Sequence, residues 1–189
     1  MKIGLYFGSF NPIHHGHLII ANYILQKTDL DQIWLIISPQ NPFKSNHGLL
    51  NEYHRLHLAQ LALEGETRLR ASDIEFRLPK PSYTVDTLAY LEEKYPGYEF
   101  GIIMGSDSYQ NLDKWKNSAV ILQRYSIFVY ERPGFPVRKD LPARLNIVNA
   151  PLLQISATEI REMIISGKSI RYFVPDSVKE EIERNHYYR

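Results

Sequence analysis

One alternation runs through this chain: a short apolar run, then an amphipathic stretch of helical period, then another apolar run. Lys2–Phe7, Gln32–Ser38, Glu99–Met104 and Tyr125–Tyr130 are expected to be buried strands, with Leu145–Val148 as the last. Between them, residues 15–27 place Leu18, Ala21, Ile24 and Leu25 at helical spacing, and residues 51–64 do the same with Leu56, Ala59 and Leu63. Thr84–Tyr95 is a further predicted helix, helical material is expected around Ser106–Gln123, and helices around Thr158–Ile165 and Pro175–Asn185 finish the chain. Arg68–Phe76 fits one or two short strands. Pro39–Gly48 holds two prolines and is expected to be a loop. Glu131–Pro142, with three prolines and a glycine, is the best candidate for an exposed excursion.

Strands that alternate with helices imply βαβ crossovers, hence a parallel sheet whose two faces are both covered. The expected fold class is α/β: a doubly wound, mainly parallel sheet with helices on both faces. Ligands of such sheets bind beyond the carboxyl ends of the strands. With no internal repeat or long linker, residues 1–189 are expected to form a single domain that includes a C-terminal helical segment from about 156 to 189.

Composition removes several classes of function. The 22 Lys and Arg against 21 Asp and Glu leave a net charge of +1, too little for a surface that binds nucleic acid by neutralising phosphates. The absence of cysteine excludes disulfides, thiolate zinc sites and thiol catalysis. No apolar run approaches the ~18 residues of a membrane span, and no signal peptide precedes the first strand, so a cytoplasmic location away from membranes is expected. Oligomeric state is not legible.

Two segments carry chemistry. After the first strand comes Gly8-Ser-Phe-Asn-Pro-Ile-His-His-Gly-His17. A strand-to-helix turn presents backbone N–H groups, glycine allows close approach of a phosphate, and the helix start adds partial positive charge. Imidazole N–H groups from His14 and His17 would add donors. The pair suits a polyphosphate better than zinc, for which the segment offers no further ligand. Near the other end, Ile155-Ser-Ala-Thr-Glu-Ile-Arg161 offers Ser156 or Thr158 as a helix cap and Arg161 as a donor fork one turn in.

The first segment resembles the His-x-Gly-His signature of the nucleotidyltransferase superfamily. The second resembles the Ile-Ser-Ser-Thr-x-Ile-Arg signature of its adenylyltransferase branch, with Ala157 in place of the second serine. Nothing resembles the Lys-Met-Ser-Lys-Ser loop of a class I aminoacyl-tRNA synthetase. Three further segments are similar to bacterial nicotinate-nucleotide adenylyltransferases. These are Ser82-Tyr-Thr-Val-Asp-Thr87, Gly105-Ser-Asp107 with Trp115 downstream, and Asn41-Pro-Phe-Lys44, where Phe43 replaces the usual histidine. Phosphopantetheine or riboflavin-phosphate adenylyltransferases would share the first two signatures but not Ser82–Asp86 followed by Trp115.

The resemblance implies a Rossmann-like fold and transfer of AMP from ATP to nicotinate mononucleotide, giving deamido-NAD and pyrophosphate. It implies that His14, His17, Lys44 and Arg161 act on the reacting phosphates. ATP would be held by Gly8, Ser9, Phe10, His14, His17, Gly105, Asp107, Ser156, Thr158 and Arg161. Nicotinate mononucleotide would be held by Asn11, Lys44, Tyr83, Thr84 and Trp115. Mg²⁺ would be bound mainly through ATP phosphates, with no metal-ligating residue in the chain.

From the residues alone, several of these positions have a second reading. Trp115 could be a core aromatic, Asp107 a helix cap and Lys44 a solvated loop residue. Arg55 and Arg132 have no role assignable from sequence. A loop entering a helix near Thr84 would offer N–H groups to a carboxylate, which predicts a preference for the acid over the amide mononucleotide of roughly tenfold or more.

Overall fold

The computed structural model describes residues 1–40, 48–151 and 153–189. Its strands are β1 (Lys2–Gly8), β2 (Gln32–Ile37), β3 (Leu69–Ser72), β4 (Glu99–Gly105), β5 (Ser126–Tyr130) and β6 (Arg144–Val148). Its helices are α1 (His15–Lys27), α2 (Glu52–Ala62), α3 (Thr84–Lys94), α4 (Ser106–Tyr109), α5 (Ser118–Arg124), α6 (Ala157–Ile165) and α7 (Asp176–Arg184).

The six strands form one sheet in the order β3-β2-β1-β4-β5-β6, and every pairing is parallel. The sheet is therefore fully rather than mainly parallel. The central strands β1, β2, β4 and β5 bury both of their faces, and the side-chain period of two divides them between two cores. Leu35 and Ile37 of β2, Ile103 of β4 and Phe128 of β5 meet Ile20 and Ile24 of α1, Leu58 of α2, Ile160 of α6 and Ile182 of α7. Their neighbours Trp34, Ile36, Ile102 and Val129 meet Leu88 and Leu91 of α3 and Ile121 of α5 on the opposite face. This is a doubly wound α/β sheet, with helices on both faces as the alternation predicts.

Three segments expected only in outline take definite form. Within Arg68–Phe76 there is one strand, β3, followed by a 3-10 turn over Ile74–Arg77. The turn carries Glu75 inward, where the Ser82 and Thr87 hydroxyls donate to its carboxylate, an arrangement a second strand could not make. The material between Ser106 and Gln123 breaks into α4, a 3-10 turn at Leu112–Lys114, and α5. Asn117, at φ +50°, reverses the chain just before α5. Tyr125 ends α5 rather than opening β5. The Glu131–Pro142 excursion is largely exposed, held by a bridge between Arg132 and Phe135. Among the described residues no helix is long and apolar enough to cross a membrane.

Candidate active site

In this strand order the chain winds one way from β1 to β2 and β3 and the other way from β1 to β4, β5 and β6. The crossovers diverge at the carboxyl ends of β1 and β4, where a parallel sheet opens a crevice. Both strands end there on a glycine, Gly8 and Gly105. Two adjoining compartments occupy the crevice, of ≈ 350 Å³ and ≈ 150 Å³, and Tyr6, Gly8, Ser108 and Tyr130 line both.

The larger compartment is built on the turn between β1 and α1. Phe10 sits in the left-handed region at φ +45° with its side chain buried. Its ring lies edge-on to Tyr6 and His17, with centroids 5.6 Å and 5.0 Å away. A Cβ on Gly8 would fall 2.9 Å from that ring, so the glycine makes room for the aromatic floor of the site. His14 and His17 stack with ring centroids 3.6 Å apart. A Cβ on Gly16 would come within 3.0 Å of the His14 ring, which is why the residue between them is glycine.

The two histidines are held differently. The backbone N–H of His14 donates to His17 Nδ1 at 3.3 Å, which assigns the His17 ring proton to Nε2. His14 is buried, and its Nδ1 has no hydrogen-bond partner among the described residues. Burial first, then the nearby Arg132 charge, lowers its pKa to about 4, so the ring is neutral at pH 7.

The start of α6 faces the start of α1 across this compartment: Ile155 lies 3.8 Å from where a Gly16 Cβ would stand. Ser156 caps α6 by accepting from the Glu159 N–H at 3.1 Å. Arg161 divides its fork, Nη1 donating to the Asn11 carbonyl at 2.8 Å and Nη2 to the Thr158 hydroxyl at 3.2 Å. The Asn11 side chain is taken up by the fold. Its amide donates to the Gly48 carbonyl at 3.0 Å, and its oxygen accepts from the Leu50 N–H at 3.1 Å. Asp107 does not cap α4, whose cap position is Gly105; its carboxylate pairs with Arg132 Nη1 at 3.2 Å. A Cβ on Gly105 would collide with that carboxylate and fall 3.2 Å from Arg132 Cδ.

The smaller compartment lies between β4 and the start of α3. Trp115 packs against the core, as one reading of that residue expects, and it also lines this compartment. Tyr83 and Thr84 line it too. The Asp86 and Thr87 N–H groups close back on the Tyr83 carbonyl, while those of Thr84 and Val85 have no partner among the described residues. Asp86 is exposed and pairs with Lys116 at 2.8 Å, and that ammonium lies 4.7 Å from the centre of the Tyr83 ring.

The crevice thus brings together Gly8, Ser9, Phe10, Asn11, His14, His17, Asp107, Ser156, Thr158 and Arg161 in one compartment, and Gly105, Tyr83, Thr84 and Trp115 in the other. Lys44, with Asn41–Phe43, lies outside the described residues. Sequence reasoning missed Arg132, Tyr6 and Tyr130. The Tyr6 and Tyr130 hydroxyls lie 3.2 Å apart between the two compartments, and burial holds both phenols protonated. A polar atom near the end of each buried strand was the available signal for the tyrosines. Among the described residues no group of three His, Cys, Asp or Glu side chains could hold a metal ion.

Comparison with known proteins agrees with this architecture. The cytidylyltransferase-like family model matches residues 5–163. A probable nicotinate-nucleotide adenylyltransferase of Flavobacterium psychrophilum is 48% identical over 192 residues, covering 100% of each chain. Its counterpart in Cytophaga hutchinsonii is 52% identical over 191 residues, covering 100% of this chain and 98% of the relative. In fold, the chain is similar to the nicotinic acid mononucleotide adenylyltransferase of Plasmodium falciparum, solved in complex with NaAD. The TM-score is 0.83 at 22% identity, with 99% of this chain and 97% of that one covered.

Proposed function

The chain belongs to the nicotinate-nucleotide adenylyltransferase family, and from that premise we propose how its crevice moves AMP from ATP to nicotinate mononucleotide. The products are deamido-NAD and pyrophosphate, a step of NAD biosynthesis. The observation that carries the assignment of residues is the convergence of two helix starts and two guanidinium groups, Arg132 and Arg161, on the larger compartment. Such a cavity favours a polyanion, which here is the triphosphate of ATP.

A phosphate oxygen of nicotinate mononucleotide attacks the α-phosphorus of ATP. A new P–O bond forms, and the bond to the β-phosphate oxygen breaks, releasing pyrophosphate. The nucleophile is already an anion at neutral pH, so the chain has no proton to remove. Its work is to align two polyanions and stabilise charge on the transferring group. His17 Nε2–H, the neutral His14 ring and the two guanidinium groups supply donors there. Lys44 belongs to this reading by sequence. Donors of this kind, N–H groups and hydroxyls, suit phosphate oxygens rather than a cation. Mg²⁺ therefore enters with ATP as part of the substrate, offsetting charge on the β- and γ-phosphates. Asp107 is proposed to hold the adenosine ribose, and Trp115 to stack near the pyridine ring. The Thr84 and Val85 N–H groups would receive the ring carboxylate. Residues 1–189 act as one catalytic unit in this reading, supported by the shared core of α1, α6 and α7.

Pyrophosphate release from ATP and Mg²⁺ with a panel of acceptors tests the proposal. The panel is nicotinate mononucleotide, its amide, phosphopantetheine and riboflavin phosphate. Nicotinate mononucleotide should give the highest kcat/KM, and a faster rate with any other acceptor overturns the reading. In the same assay His17→Ala should lower kcat by ~10²-fold or more while the fold survives, the size of effect seen when a transition-state donor is lost. Near-parent turnover in the folded variant removes His17 from the mechanism.

A further inference from the structure

Glu75 is a buried acid for which the transfer of AMP has no use. It is 2% exposed, at the back of the smaller compartment, on the 3-10 turn that follows β3. Its oxygens are divided between the two ends of one short segment. Oε2 accepts from the Ser82 hydroxyl at 2.8 Å, and Oε1 accepts from the Thr87 hydroxyl at 2.8 Å. Ser82 stands just before the cap residue of α3, and Thr87 lies one turn inside the helix. Apolar residues at those two positions commonly staple the chain as it enters a helix. Here a third residue, Glu75, joins them through hydrogen bonds. Tyr83, at the cap position, makes no side-chain cap bond of its own; its carbonyl is met by the Thr87 hydroxyl at 3.3 Å.

The segment held in this way carries the N–H groups of Thr84 and Val85, which have no partner among the described residues. We propose that Glu75 is a positioning residue for recognition of the pyridine carboxylate, acting through Ser82 and Thr87 to hold the first turn of α3 against the smaller compartment. The inference rests on the assignment of that compartment to nicotinate mononucleotide.

Two features favour this role over simple stabilisation. A buried carboxylate is a costly way to fix a turn that an apolar staple could fix. Its bonds also fix direction, because the Ser82 and Thr87 hydroxyls sit on different oxygens and anchor different ends of the segment. Burial raises the pKa of Glu75, while the hydroxyls of Ser82, Thr87 and Ser38 oppose that rise. The start of α3 adds partial positive charge in the same region. A shift of the turn would leave the ATP compartment intact and misplace only the N–H groups offered to the acid. An amide, which cannot accept from two N–H groups through two oxygens, would lose less.

Steady-state kinetics with the whole chain separates the possibilities. In the parent, kcat/KM should favour the acid over the amide mononucleotide. Glu75→Ala should raise KM for nicotinate mononucleotide about tenfold or more, with KM for ATP within about twofold, and bring the acid-to-amide ratio close to one. Glu75→Gln keeps one acceptor and can donate to the other hydroxyl, so it should recover most of the ratio. Thr87→Val, which removes one anchor with little change of shape, should move the same KM in the same direction by a few-fold. It serves as the test should Glu75→Ala fail to fold.

Parent turnover of nicotinate mononucleotide and the acceptor panel judge the underlying reading separately. With that reading intact, three results overturn the inference. One is an acid-to-amide ratio unchanged by Glu75→Ala, or by Thr87→Val in its place. Another is an equal rise in both KM values. The third is a glutamine variant as defective as the alanine variant, which would assign the effect to charge rather than position.

Discussion

His14 is the histidine whose protonation the fold opposes, and the consequence can be measured. Its pKa in the folded protein is about 4, against 6.5 for the ordinary ring. Above pH 6.5 the folded and unfolded states both hold it largely neutral, and it adds no pH dependence to stability. Between 6.5 and 4 the unfolded chain takes up a proton that the folded chain does not, so stability falls as pH falls through that window. At pH 5 the loss should be about 2 kcal/mol from this residue alone. Urea unfolding of the parent and of His14→Gln at pH 7 and pH 5 isolates it from the other histidines. The parent should lose about 2 kcal/mol more than the variant, and equal losses would show that His14 is not held neutral. Arg55 makes a second residue-scale case. It is wholly buried, and its guanidinium donates to the carbonyls of Leu50, Ser9, Ser38 and Pro39 at 2.6–3.0 Å. One side chain thus ties the turn after β1 to the end of β2 and the approach to α2. Arg55→Met would leave those carbonyls unpaired in the interior, and stability should fall by on the order of 3 kcal/mol or more. A loss under about 1 kcal/mol in urea unfolding would mean that water or a shifted loop satisfies them.

Among the elements, the strands were the most legible part of the sequence, because strands buried on both faces are continuous apolar runs. Gln32–Ser38 and Tyr125–Tyr130 each lie within one residue of an observed strand at both ends. The helical period gave α1 its observed bounds and α3 to within one residue. Less legible was what depends on partners remote in the chain. The 3-10 turn at Ile74–Arg77 exists because Glu75 finds Ser82 and Thr87, and no local pattern announces those bonds. Arg132 lies in a proline-rich excursion that reads as solvent-exposed loop, yet it returns to Asp107 at the mouth of the site. The turn between β1 and α1 was legible as a motif, while the reason for Gly8, room for the Phe10 ring, belongs to tertiary packing. At α6 the sequence offered two candidate caps, and the helix uses Ser156. Thr158 instead accepts from Arg161, whose other nitrogen holds the Asn11 carbonyl. A lysine at 161 could keep the charge but not both acceptors in fixed directions. Arg161→Lys should therefore lower kcat/KM for ATP by roughly tenfold or more. Parent-like turnover at low ATP would assign Arg161 to the surface rather than the site.

At the scale of the whole molecule, the division of the crevice makes a prediction that no single residue carries. The larger compartment collects the helix starts and the arginines, the smaller one collects Trp115 and the start of α3, and Tyr6, Gly8, Ser108 and Tyr130 belong to both. On the proposed assignment, a dinucleotide would lie across this layout as two halves joined by a pyrophosphate. Joining two ligands turns the second binding event into an intramolecular one, so the linked compound should bind more tightly than either half alone. A ligand that binds only the folded state stabilises it in proportion to the logarithm of its concentration over Kd. Thermal unfolding with each compound at the same concentration should therefore rank deamido-NAD above both AMP and nicotinate mononucleotide. The compartments should also separate by mutation. Trp115→Ala should remove most of the shift given by nicotinate mononucleotide and leave that given by ATP with Mg²⁺, because Trp115 lines only the smaller one. Arg161→Ala should do the reverse, because Arg161 lines only the larger one. Each variant acts as the control for the other, since a general loss of stability would shift the starting temperature without changing which ligand still adds to it. If either variant weakened both ligand shifts alike, or if deamido-NAD shifted unfolding no further than its halves, the crevice would be one undivided pocket, and the assignment of each substrate to its own compartment would fall.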